Sequence, residues 1–78
     1  MYRKNNKLKD PPYRVVHIYK DGRTVVESCH NLVANAINAA KLYKNEVFYN
    51  TYAVQKLEVV RVKGKSIEYR WTIVRIFP

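Results

Sequence analysis

The sequence predicts an α+β domain of order β-β-α-β-β, a four-stranded, mainly antiparallel sheet with one helix packed on one face. Three observations carry this reading. Two β-rich runs flank Asp21-Gly22, two more flank Gly64, and the stretch between these pairs has helical periodicity.

Residues 1–12 come first. They hold Arg3, Lys4, Lys7 and Lys9 against Asp10 and end in Pro11-Pro12, with no apolar period. Consecutive prolines withhold backbone donors and resist helix and strand alike. The expectation is a mobile basic arm over 1–12 ahead of a single domain over 13–78.

"YRVVHIY" (13–19) and "TVVESC" (24–29) are rich in β-branched and aromatic residues. Asp21-Gly22 supplies the positive φ angles of a two-residue type I′ turn between them. That register sets Tyr19 opposite Thr24, His17 opposite Val26 and Val15 opposite Ser28. One face then collects Tyr13, Val15, His17 and Tyr19, and the other collects Arg14, Val16, Ile18 and Lys20 with Arg23 and Val25.

Helical spacing follows. After Ser28 or Asn31, either of which can cap a helix, Leu32, Val33, Ala36, Ile37, Ala40 and Tyr43 form one apolar stripe. Asn35, Asn38 and Lys41 face away, and Leu42 is an apolar exception among them. The alanines let the helix lie close to a sheet. Residues 45–53, with Phe48, Tyr49 and Tyr52, fit neither template cleanly.

The last hairpin turns on Gly64 with one of its flanking lysines. Both two-residue registers assign the same faces, and one of them sets Arg61 opposite Glu68. Val60, Val62, Ile67, Tyr69, Trp71 and Ile73 share one side. Leu57, Val59, Arg61, Lys63, Glu68 and Arg70 share the other. The aromatic faces are expected beneath the helix, where Tyr13, Tyr19, Tyr69, Trp71 and Ile73 meet Leu32, Val33, Ile37 and Tyr43.

Fifteen lysines and arginines against six acids give a net charge of +9 over 78 residues, which makes polyanions the natural partners. The candidate site is the arm with the uncovered sheet face: Arg3, Lys4, Lys7, Arg14, Lys20, Arg23, Arg61, Lys63, Lys65 and Arg70. No catalytic, cofactor or metal set is expected. A lone cysteine, Cys29, with His17 and His30 matches no zinc spacing, and Gly22 and Gly64, the two glycines, are both used in turns.

Two functions are therefore weighed. The first is a small basic, non-enzymatic nucleic-acid-binding or accessory protein that contacts phosphates through its arm and open sheet face. A base-stacking platform is set aside, because the rings are expected to point inward. The second is a protein-binding regulator or inhibitor, of viral or phage type, docking a basic and aliphatic sheet face on an acidic partner. A homodimer through the same face or an edge strand is a variant. The single cysteine, with no apolar run long enough for a signal peptide or membrane span, suits a cytoplasmic setting.

Overall fold

The computed structural model describes residues 11–64 and 66–78. Its elements are β1 (Tyr13–Ile18), β2 (Thr24–His30), α1 (Val33–Glu46), β3 (Thr51–Lys63) and β4 (Ser66–Phe77). They make one four-stranded sheet, of spatial order β2-β1-β3-β4, in which every neighbouring pair is antiparallel. The helix covers one side of it. The expected architecture and element order are therefore present.

The first hairpin differs in its turn. The Tyr19 N–H donates to the Arg23 carbonyl at 2.8 Å and the Gly22 N–H to the Tyr19 carbonyl at 3.0 Å, enclosing a three-residue loop. Gly22 takes the left-handed position with φ +93°, the usual place for glycine in such a loop. The Asp21 carboxylate accepts the Arg23 N–H at 3.0 Å, so Asp21 stabilises the turn through its side chain. The extra loop residue slips the register by one, and His17 faces Val25 instead of Val26. A bulge at Glu27 reverses the slip, so that Val15 meets Ser28 as expected.

At the second hairpin Lys63 pairs with Ser66 and Arg61 with Glu68, one of the two registers read from the sequence. Gly64 has φ +60°, which a two-residue hairpin turn requires. Bulges in this ribbon shift the pairing at Val60 and Val74.

The helix sits over β1 and β3. Val15, Tyr52 and Val54 are buried against Ala36 and Ala40, with Tyr13, Ile37, Ala39, Tyr43 and Phe77 packed around them. Both alanines are fully buried, which allows the close approach expected of them. Leu32 and Val33 are exposed and lie outside the buried stripe. Leu32 is itself the N-cap and makes no side-chain cap bond, so neither Ser28 nor Asn31 fills that role. The Ser28 hydroxyl instead lies 2.7 Å from His30 Nε2.

The larger correction concerns the sheet faces. Val15 points to the helix, so its neighbour Arg14 points away. Arg14 pairs with Gln55, Gln55 with Ile73, Leu57 with Trp71 and Val59 with Tyr69. Directly paired side chains share a face, so Trp71, Tyr69, Ile73 and Ile67 lie on the side away from the helix, as do Val16 and Ala53, which are fully buried there. Arg61, Glu68 and Arg70 lie on the helix side. Alternation does separate rings from cations along β4, but the two sides are inverted relative to the helix. The bulge at Val60 explains part of this, since it brings Val62 into line with Val59 and Leu57 and takes it off the parity read from the sequence.

The β3–β4 ribbon outruns the body. β1 begins at Tyr13 opposite Lys56, and among the described residues the last link to this side of β3 is the Leu57 N–H donating to the Pro12 carbonyl at 2.8 Å. Pro12 therefore already belongs to the sheet, within the segment expected to be an arm. Among the described residues, Glu58 to Lys63 pair with β4 alone, roughly 20 Å at about 3.3 Å per residue. The molecule measures 44 × 25 × 16 Å.

Candidate functional site

The expected cationic site is divided by the topology. Lys20 and Arg23 sit at the β1–β2 turn, beside the start of β3, while Lys63 sits at the far tip of the ribbon. Arg61 and Arg70 line the helix side of that ribbon, and Arg61 lies 3.7 Å from Glu68. Lys56 and Glu58 share this side, so its charges alternate in sign. Arg3, Lys4, Lys7 and Lys65 lie outside the described residues.

Among the described residues, Arg14 is the one predicted cation on the sheet side away from the helix. Its guanidinium lies 3.9 Å from the Trp71 ring centroid and its Nε donates to Gln55 Oε1 at 2.7 Å. Burial pushes its pKa below the ordinary arginine value, with Cys29 pulling the other way. Arginine remains charged under such a shift. The result is a planar cation fixed on an aromatic ring, with little freedom to meet phosphate.

A second constellation lies at the turn end, in the segment the sequence left unassigned. The helix closes with the Val47 N–H donating to the Tyr43 carbonyl at 2.9 Å, and the Asn50 N–H donates to the Val47 carbonyl at 3.1 Å. The Lys44 ammonium donates to the Phe48 carbonyl and, at 2.6 Å, to the Asn50 carbonyl. One cation near the helix C-terminus thereby ties a tight loop, where the helix dipole favours it. That loop presents Phe48 and Tyr49 to solvent, 75% and 77% exposed, with ring centroids 5.6 Å apart at nearly a right angle.

Across from this loop stands the first hairpin turn. His17, Tyr19, Lys20, Tyr49, Asn50 and Thr51 line an open recess of about 300 Å³. His17 stacks obliquely on Tyr19 at 4.2 Å and also contacts Tyr52 at 5.4 Å. It is half-buried beside the recess, where the sequence placed it in the core. Arg23 lies 4.5 Å over the Tyr19 ring and 2.8 Å from an Asp21 oxygen. Asp21 thus shares the Arg23 charge, while Lys20 stands exposed at the rim.

The sequence reading missed Tyr19, Phe48 and Tyr49 as site residues. A signal was present, namely three aromatics within residues 45–53 in a stretch without clear periodicity. Large rings outside any core pattern are candidates for contact. Cys29 is exposed on β2. Among the described residues no three His, Cys, Asp or Glu side chains stand close enough to hold a metal ion, and no helix is long and apolar enough to cross a membrane.

Compared with known proteins, the chain matches no family model, no curated protein and no solved structure.

Proposed function

We propose that this is a small non-enzymatic nucleic-acid-binding protein that takes single strands at its turn end. The observation that carries the reading is the pair of solvent-facing rings, Phe48 and Tyr49, of which Tyr49 lines an open recess together with Lys20 and with Tyr19, the ring that Arg23 overlies. Rings free on one side accept bases by stacking, and neighbouring cations meet the backbone phosphates. This differs from the phosphate-only contact expected from sequence. The net charge of +9 supplies long-range attraction. Lys20, Lys41, Lys56, Lys63 and Arg70 stand outside the ion pairs that Asp21 and Glu68 make with Arg23 and Arg61. Lys20 lines the recess itself, and the other four extend the cationic surface away from it.

Fluorescence anisotropy with labelled single strands and duplexes, across a salt series, tests this. Stacking contributes about 1–3 kcal/mol per base, so Tyr49→Ala is expected to weaken single-strand binding by roughly 5- to 150-fold. Lys20→Ala should flatten the salt slope by about 0.7, the contribution of one phosphate contact on a single strand. The reading is overturned by an absence of affinity even at low salt, or by wild-type binding in both Tyr49→Ala and Phe48→Ala.

A second reading, a regulator or inhibitor that docks on another protein, is favoured by one observation. The β3–β4 ribbon, on its side away from the helix, exposes Val59, Val62, Ile67, Tyr69 and Ile73. With Arg14 engaged by Trp71 and Gln55, that face offers little charge to an acidic partner.

A further inference from the structure

We infer that the recess at the turn end holds one unstacked base of a bound strand, with Tyr49 as its wall, while Phe48 stacks on a neighbouring base outside it. The inference rests on the single-strand reading of this end and deepens it by giving the two rings different tasks.

Ring orientation is the first ground. Phe48 and Tyr49 lie 5.6 Å apart with their planes at 82°. Two bases that stay stacked on each other are parallel, so they cannot both lie flat on rings set nearly at a right angle. A strand that uses both rings must therefore turn one base out of its stack between them. The recess decides which base turns. Among the described residues, its lining includes Tyr49 but not Phe48.

Size and chemistry agree. About 300 Å³ is the lower end of ligand-binding recesses, which suits one base rather than several. Tyr19, backed by His17 at 4.2 Å, comes from the first hairpin, and Tyr49 comes from the loop after the helix. Rings supplied by two separate elements suit a flat ligand, and Asn50 and Thr51 offer polar atoms to its edge. Lys20 lines the recess as well, placed to meet the phosphate of the turned residue, whereas Arg23 shares its charge with Asp21 at 2.8 Å. The Tyr49 wall is also set in advance. The Lys44 ammonium holds the Phe48 and Asn50 carbonyls on either side of Tyr49, so little freedom is lost when a base enters.

Amide NMR of the isotope-labelled protein, titrated with a nucleoside monophosphate, tests the inference. The signals of His17 to Lys20 and of Tyr49 to Thr51 should shift and saturate, and ribose phosphate, which has no base, should leave them in place. Tyr49→Ala should weaken monophosphate binding at least about fivefold. A single-stranded dinucleotide should bind at least about fivefold more tightly than the monophosphate, and Phe48→Ala should remove that gain while monophosphate binding persists. Both rings are exposed, so these variants fold, and the amide signals outside the recess report it.

Single strands that bind while the monophosphate shifts no signal at the recess overturn the inference and leave the single-strand reading standing. Equal shifts from ribose phosphate overturn it in favour of a phosphate site. Equal affinity for the dinucleotide and the monophosphate overturns the part given to Phe48 and points to a free nucleotide. Binding of neither strand nor monophosphate overturns both readings.

Discussion

Replacing Val54 by alanine probes the core most directly. Val54 is fully buried against Val15, Tyr52, Ala36 and Ala40 at the centre of the contact between helix and sheet. The substitution removes two carbons, worth about 1.6 kcal/mol at roughly 0.8 kcal/mol each. A residual cavity of roughly 40 Å³ adds about 1 kcal/mol, at roughly 24 cal/mol per Å³. The expected loss is therefore about 2.5 kcal/mol. For 78 residues at roughly 0.05–0.15 kcal/mol each, total stability is about 4–12 kcal/mol, so this one change removes a fifth or more of it. The midpoint of thermal unfolding should fall by about 10–20 °C. Urea unfolding followed by circular dichroism, at one fixed protein concentration, measures the loss without a contribution from association. Leu42→Ala is the control. That side chain is 63% exposed on the outer side of the helix, and its loss should cost under about 0.5 kcal/mol. Equal losses in the two variants, or a Val54→Ala cost below about 1 kcal/mol, would refute the assignment of this face as the core.

Three further expectations follow from local geometry. A Cβ at Gly22 would meet no atom within 4 Å, so Gly22→Ala should cost only the backbone penalty of the left-handed position, about 1–2 kcal/mol, and Gly22→Asn should recover much of it. Arg14→Ala should cost about 1–2 kcal/mol, through the Trp71 contact and the bond to Gln55, and should shift Trp71 emission to the red at low protein concentration. Arg14→Lys should restore little, since an ammonium cannot stack and donate in the same plane. Glu68→Gln, which breaks the exposed pair with Arg61, should change urea stability by less than about 0.5 kcal/mol.

The sequence located each of the described elements, because the signals are local. β-Branched and aromatic runs mark the strands, the Ala36 and Ala40 spacing marks the helix, and Gly22 and Gly64 mark the turns. It also paired Arg61 with Glu68 and Val15 with Ser28, since hairpin registers follow from turn length and strand alternation. Much of the candidate site was not legible. Phe48 and Tyr49 gain their place from the Lys44 ammonium binding loop carbonyls, which no periodicity encodes. Lys20 and Lys63, read together on one face, end up at opposite ends of the sheet because the start of β3 pairs with β1 beside the first turn, while its tip pairs with β4 at the second.

The sequence by itself determined that rings and cations separate along β4, since alternation is a property of a single strand. It could not decide which of those sides the helix would cover. That choice depends on which way the chain leaves β2 to cross the sheet, and on bulges at Glu27, Val60 and Val74 that each add one residue and reset the alternation. Only the assembled sheet fixed both, placing Val15 and Val54 beneath the helix and leaving Trp71 and Tyr69 on the side away from it.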